Sequence, residues 1–257
     1  MKLSLDKYYT QDSLAEYCIN KTYEALGNTW DRIIEPSAGS GSYLKYLPEC
    51  TLAYDIKPEM TKIIEQDYLE LELPYIKNTL IIGNPPFGRA NKLSVKFIKK
   101  SLEFGDYISF IQPISQLNND RIAGVDLIYS EDLGPLEYSG KKVHCCLNIY
   151  KANKDHKRNA YNIPGVTCRH IFRTGSEKHS QELLDKQWDF RIAAWGVPRL
   201  LNDGEYCTNE VVIECLPEYK EKIEKLLKDC NYQSLLSCVS LPNLPAWRVK
   251  KYLWERW

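Results

Sequence analysis

Residues 81 to 88, Ile-Ile-Gly-Asn-Pro-Pro-Phe-Gly, constrain this chain more than any other stretch. Leu80, Ile81 and Ile82 read as the end of a buried parallel strand, and the strand must stop at Asn84 because neither Pro85 nor Pro86 has a backbone N–H to continue the pairing. The prolines fix φ near −65° and hold the residue before each in extended geometry. The Asn84 side chain and the Pro85 carbonyl are then expected to point into one cleft, with the Phe87 ring beside them. Two acceptors and a stacking face suit a planar ring with an exocyclic amine: each acceptor takes one N–H, and the nitrogen lone pair becomes a better nucleophile.

Upstream, Arg32-Ile33-Ile34-Glu35 reads as a strand running into Pro36-Ser37-Ala38-Gly39-Ser40-Gly41-Ser42. Such a loop of small residues lets backbone approach a ligand. It lacks the full Gly-x-Gly-x-x-Gly spacing of a dinucleotide fold and the Gly-Lys-Ser/Thr of a phosphate-binding loop. Twenty residues past Glu35, the strand Leu52-Ala53-Tyr54 ends in Asp55, where an acid can accept hydrogen bonds from a ribose diol. A third acidic strand end follows at Gln66-Asp67-Tyr68, where Asp67 is expected to accept from an adenine amine and Tyr68 to stack. Three successive strand ends therefore point at one crevice.

With these motifs in this order, the chain resembles the S-adenosylmethionine-dependent N6-adenine methyltransferases of DNA. Glu35-Pro36-Ser37-Ala38-Gly39-Ser40-Gly41 looks like their cofactor loop, Tyr54-Asp55-Ile56 like their ribose-binding acid, Gln66-Asp67-Tyr68 like their adenine-binding acid, and Asn84-Pro85-Pro86-Phe87 like their catalytic motif. Tyr8-Tyr9-Thr10 is similar to the segment that packs on the methionine end of the cofactor, with Gln11 where the family has proline, so Tyr9 and Thr10 join the expected cofactor site. At lower specificity, residues 107 to 113 look like the family's fifth strand and residues 143 to 150 like the strand of its terminal hairpin, whose start lies near the target base. The resemblance implies a Rossmann-like class I methyltransferase fold, a doubly wound, mostly parallel seven-stranded sheet, followed by a small C-terminal α+β region. It also implies methyl transfer from S-adenosylmethionine to N6 of a flipped adenine. The alternatives are the same chemistry on ribosomal or transfer RNA, methylation of a protein glutamine, or a non-catalytic nucleic-acid-binding subunit.

The coarse alternation agrees with that fold. A helix is expected from Asp12 to Leu26, strands at 32 to 35, 51 to 55, 79 to 83 and 107 to 112, and helices near 42 to 47, 58 to 65 and 92 to 104. The stretch from Pro113 to about Lys142 reads as a loop. Residues 1–152 form the expected catalytic domain, and the polar run 152 to 159 reads as a linker. Residues 160–257 form the expected target-recognition region, with a strand at 210 to 215, an amphipathic helix from Pro217 to Cys230, and an aromatic and basic end that suits either nucleic acid or a small core.

The chain has 257 residues, of which 44% are apolar, and a net charge of zero. No global field attracts a polyanion, so nucleic acid must be met by local patches. Arg89, Lys92, Lys96, Lys99 and Lys100 follow the Asn-Pro-Pro-Phe motif without an acid, and Lys141, Lys142, Lys151, Lys154, Lys157 and Arg158 flank the expected hairpin. Arg89, Lys92, Lys141, Lys142 and His144 are the candidate substrate contacts. DNA is the expected partner, with room for a partner subunit in target recognition. No membrane span or signal peptide is read, which makes a cytoplasmic location the expectation. Nine cysteines, an odd number that includes the adjacent Cys145 and Cys146, read as reduced thiols. Cys168 and His170 with His144 or Cys207 form only a remote zinc set, and no metal is expected.

Overall fold

The computed structural model describes residues 10–88, 91–138, 141–157, 159–173, 184–236 and 243–257. The chain divides into two compact units, Met1–Asn159 and Ala160–Trp257.

In the first unit, helix α1 (Asp12–Leu26) precedes β1 (Arg32–Glu35), β2 (Leu52–Asp55), β3 (Ile64–Glu65) and β4 (Thr79–Gly83), then α2 (Lys92–Ser101), β5 (Tyr107–Pro113), β6 (Val125–Tyr138) and β7 (Lys141–Ala152). The sheet order is β3-β2-β1-β4-β5-β7-β6, and β7 alone runs against the others. The strand order reverses between β1 and β4, where Ile34 pairs with both Leu52 and Ile81. An open α/β sheet leaves its ligand crevice at such a reversal, beyond the carboxyl ends of the strands.

Both faces of the sheet are covered, so the central strands read as continuous apolar runs. Leu80 and Ile82 join Ala15, Cys18 and Ile19 of α1 on one face. Ile81 points the other way, into a core with Phe97 and Ile98 of α2 and Phe110 of β5. The length of α1 is set by Gly27, whose φ of +89° closes the helix with an N–H donated to the Tyr23 carbonyl.

Three sequence expectations are corrected here. Residues 42 to 47 form only a short 3₁₀ turn, Tyr43–Lys45, ahead of Pro48. Residues 58 to 65 form no helix: Ile63 packs with Ala38 and Ala53, and the β-branched pair Ile63-Ile64 continues into an extended edge strand beside Tyr54 and Asp55. The expected loop from Pro113 to Lys142 contains β6, a 14-residue strand pairing along β7. Its register shifts between Leu127 and Tyr129 and between Asp132 and Gly134, which breaks the period-two pattern a strand would show in sequence.

The second unit is an antiparallel sheet, β10-β9-β11-β8, formed by β8 (Val166–Phe172), β9 (Phe190–Ala193), β10 (Arg199–Leu200) and β11 (Asn209–Cys215). Helices α3 (Lys220–Lys228) and α4 (Ala246–Trp254) contribute Ile223, Leu227, Val249 and Leu253 to a core with Ile192, Val211 and Ile213. Pro217–Tyr219 is a separate 3₁₀ turn before α3. Glu210 is fully buried and clamped by Arg173 at 3.0 Å and Arg191 at 2.6 Å, so its charge is compensated. The aromatic and basic end is used partly within this unit: Tyr252 and Leu253 are buried, and the Trp257 ring packs edge-on to Tyr219 under the Lys222 ammonium. Among the described residues, no helix is long and apolar enough to cross a membrane.

Candidate active site

The carboxyl ends of β1, β2 and β4 converge on the loop 36 to 42. Ala38 N–H donates to the Tyr54 carbonyl, and Gly41 N–H donates to the Ala38 carbonyl at 2.7 Å, which folds the loop tightly back on itself. Asp55 ties β2 to this loop, since its two carboxylate oxygens accept from Gly39 N–H and Lys57 N–H, both at 2.8 Å. Gly39 has φ of +53°, and a Cβ there would meet nothing within 4 Å. The loop therefore offers bare backbone to open space.

The strand end after β4 meets the same loop from the other side. Ser37 Oγ donates to the Asn84 carbonyl at 3.2 Å, and Asn84 Nδ2 donates to Thr10 Oγ1 at 3.1 Å. Ser42 Oγ donates to the Thr10 carbonyl at 2.7 Å. A cavity of about 30 Å³ lies among Thr10, Glu35, Ser37, Gly39, Ser42 and Asn84. That is space for a small polar head, with the rest of any larger ligand lying over the strand ends.

Glu35 is the electrostatic feature of this cavity. It is 2% exposed, and its Oε2 has no hydrogen-bond partner among the described residues. Burial pushes its carboxyl up to about 8, and the neighbouring Asp55 charge adds to the effect. A buried carboxyl of this kind stays protonated near neutrality until a cation reaches it.

The remaining expected residues divide. Ile56, directly after Asp55, is 51% exposed. Asp67 Oδ1 accepts from Leu69 N–H at 2.9 Å, capping a short turn. Tyr68 does not face the crevice: it is 2% exposed, its ring stacks on Phe97 at 5.2 Å, and its hydroxyl bonds Ser101, so its expected stacking role is corrected to a core role beneath α2. Phe87 is corrected likewise. Its ring is 6% exposed in the core on the α1 side, where an apolar side chain gains more from burial than from a wet cleft wall. Its carbonyl accepts from Leu93 and Ser94 N–H and so joins the motif to α2. Pro85 is buried and Pro86 partly so, while Pro36 and Ala38 lie buried under the loop.

Of the expected substrate contacts, Lys92 and Lys142 are exposed, and Lys92, Lys96 and Lys99 share the outer face of α2. His144 lies one residue beyond Cys145, which pairs with Pro113 at the end of β5, and bonds Asp132 at 2.6 Å. Tyr9, Arg89 and the Lys141 side chain lie outside the described residues. Among the described residues, no cluster of three His, Cys, Asp or Glu side chains is placed to hold a metal ion. Two residues in contact with the loop region were not among the expected site residues. Ser42 anchors Thr10, a role hinted at by the serines alternating with glycine, and Met60, 43% exposed, lies where a Cβ on Gly41 would strike its sulfur.

The seven strands in this order, with one antiparallel member, and a ligand crevice at the reversal between β1 and β4 define a Rossmann-like class I methyltransferase fold. No protein-family model and no curated protein matches the chain. Solved structures do resemble it. A proposed RNA methyltransferase from Pyrococcus horikoshii is 15% identical, with 59% of this chain and 89% of that one covered, at a TM-score of 0.48. The 23S rRNA methyltransferase ErmE is 12% identical, with 57% and 70% covered, at 0.44. A type I restriction-modification methyltransferase subunit from Streptococcus thermophilus is 13% identical, with 86% and 53% covered, at 0.40. What defines the fold is the strand order of this chain itself.

Proposed function

We propose that this chain transfers a methyl group from S-adenosylmethionine to the N6 amine of adenine in nucleic acid, with DNA as the assigned substrate. The observation that carries this reading is the junction of two strand ends: the small-residue loop after β1 and Asn84 after β4 are joined through Ser37 and Thr10 around one cavity. Residues 1–152 are assigned to catalysis and 160–257 to target recognition, alone or with a partner subunit.

The donor set fits the cofactor. The bare backbone at Gly39 accommodates close approach, the Glu35 carboxyl is a counter-ion for an ammonium, and Asp55 retains lone pairs for a ribose diol. When bound, S-adenosylmethionine supplies an electrophilic methyl group carried on a sulfonium. The chain supplies the rest. Asn84 Oδ1 and the Pro85 carbonyl hold the two amine hydrogens, which localises the nitrogen lone pair for in-line attack. Thr10 takes the Asn84 Nδ2 hydrogen and so sets Oδ1 as the acceptor. Flipping the base costs a few kcal/mol, to be offset by contacts along the strand. Pro86 and Phe87 anchor the motif from below, with no stacking role for Phe87.

Two substitutions check the cofactor assignments by calorimetry. Asp55→Ala is expected to weaken S-adenosylmethionine binding by roughly tenfold to a hundredfold, as loss of a charged acceptor does; unchanged affinity would remove Asp55 from the ribose site. Gly39→Ala is expected to cost about 1 kcal/mol from left-handed strain and to weaken the cofactor as well. Gly27→Ala, at φ of +89° and ψ of 179°, an essentially glycine-only conformation with equally open space, should cost more stability, about 1–3 kcal/mol, and leave binding untouched.

The whole reading is tested by supplying S-adenosylmethionine with duplex DNA, single-stranded DNA, transfer RNA and ribosomal RNA, then digesting each to nucleosides for mass spectrometry. N6-methyladenine in DNA is the expected result. Its appearance in RNA alone keeps the chemistry and replaces the substrate, and no methylated nucleoside despite cofactor binding overturns the proposal.

A further inference from the structure

Between β5 and β6 the chain crosses the α2 side of the sheet without a long helix, and a buried polar network takes over the hydrogen bonding. Gln112 and Asn148 are both fully buried at the carboxyl half of the sheet. Gln112 Oε1 accepts from Asn148 Nδ2 at 2.9 Å and from the Tyr150 hydroxyl at 2.8 Å. Asn148 Nδ2 also donates to the Gln116 carbonyl at 2.8 Å, and Asn148 Oδ1 accepts from Ser130 Oγ at 2.6 Å, which in turn accepts from Asn118 N–H at 2.8 Å. Through these bonds the segment after β5 is held down on the sheet.

The same amide reaches the Asn-Pro-Pro-Phe motif. Gln112 Nε2 donates to Ser94 Oγ at 2.7 Å, and the Ser94 and Leu93 N–H groups donate to the Phe87 carbonyl at 3.3 and 3.2 Å. A second link runs nearer the surface, where Asn91 Nδ2 donates to Ser115 Oγ at 2.5 Å. The backbone of the β5–β6 connection is satisfied by Asn148 and Ser130, by turns within it (Leu117 N–H to the Ile114 carbonyl, Asn119 N–H to the Gln116 carbonyl), by the Asn119 side chain and by the His156 carbonyl, which accepts from Gly124 N–H. None of these backbone bonds uses Ser94, so the bond from Gln112 to Ser94 is a separate link between two buried polar groups, whose burial is unfavourable unless they are paired.

We propose that Gln112 is a positioning residue for the transfer proposed above. Its amide locks the first turn of α2, which holds the Phe87 carbonyl, and the segment Ser115–Asn118 after β5 into one unit, so that the two walls at the carboxyl ends of β4 and β5 cannot move independently. The inference rests on the proposed function for its consequence in turnover and on the hydrogen bonds alone for the coupling.

The test compares Gln112→Met, which keeps length and loses the bonds, with Ser94→Ala, which removes the receiving hydroxyl. Amide hydrogen exchange is read at Leu93, Ser94 and Asn118 without ligand, and kcat and KM are read with nucleic acid substrate. In both variants exchange at Leu93 and Ser94 should speed up about tenfold, and in Gln112→Met Asn118 should follow. kcat should fall roughly tenfold to a hundredfold, as a displaced reacting group costs, with cofactor KM nearly unchanged. Because the two changes break one link, the double variant should be little worse than Gln112→Met in kcat. Unchanged exchange at Leu93 and Ser94 in Gln112→Met overturns the coupling, whether or not the wild type methylates anything. Loosened exchange with wild-type kcat, or a kcat loss that vanishes when the assay is cooled, overturns the positioning role. A wild type that methylates no nucleic acid overturns the parent reading instead, and exchange still decides the coupling.

Discussion

Asn84→Ala should abolish methyl transfer, lowering kcat by more than about a hundredfold, the scale on which removing one preorganised hydrogen-bonding group acts. Cofactor affinity should stay within about threefold of wild type in the same protein, a difference of less than 1 kcal/mol. The separation follows from which atoms of Asn84 do what. In the proposed reading the side chain is the acceptor for the amine; it also bonds Thr10, whereas the contact to the loop after β1 runs from Ser37 to the Asn84 main-chain carbonyl. Alanine keeps that carbonyl and accepts the extended geometry required before Pro85. Methylation at wild-type rate would remove Asn84 from the catalytic assignment, and loss of cofactor binding would show that Thr10 orders the loop only through the Asn84 amide.

In the proposed cofactor site, Glu35 is expected to make cofactor affinity depend on pH. Its carboxyl is raised from an ordinary value near 4.5 to about 8 by burial. The folded protein therefore binds more protons than the unfolded chain across that interval, and the stability associated with the protonated carboxyl is full below about 4.5 and is lost as pH rises to about 8, by up to about 1.4 kcal/mol per unit. A cationic ligand needs the opposite state. Binding must expel a proton at pH 6, and affinity is expected to rise up to about tenfold per unit toward pH 8 and then level off. Glu35→Gln should bind the cofactor with a flat profile over the same range and show a flatter fall in stability. Calorimetry in buffers of different ionisation enthalpy counts the released proton directly. Equal proton release in wild type and Glu35→Gln would remove Glu35 from the cofactor site.

The legible parts of the fold are those where local chemistry and tertiary demand coincide. Helix α1 carries its own stop in Gly27, and β1, β2 and β4 end at residues that cannot continue a strand or that cap the next loop. Strand β6 was hidden because two register shifts and the Gly134-Pro135 pair scramble its alternation, and only the long partner β7 holds it extended. The stretch 58 to 65 reads as helix from its polar spacing, but Ile63 is drawn under the loop. At the site, residue type did not fix the direction of each ring. Tyr68 and Phe87 have the chemistry to stack on a base, yet both lie in the core, and sequence carries no sign of which side of the backbone they take. The bond from Asn84 to Thr10 spans 74 positions and becomes visible only once four strands are assembled.

The two margins of the larger sheet bear on how such a protein avoids sticking to itself. One margin is β3, only two residues long. The other, β6, offers a long row of backbone groups of the kind that templates fibrils, but it is interrupted by two bulges, carries Pro135, and exposes Asp132 and Glu137. A copy sliding alongside would find its ladder out of step and like charges opposed. Both margins are therefore poor templates for pairing with the backbone of another chain.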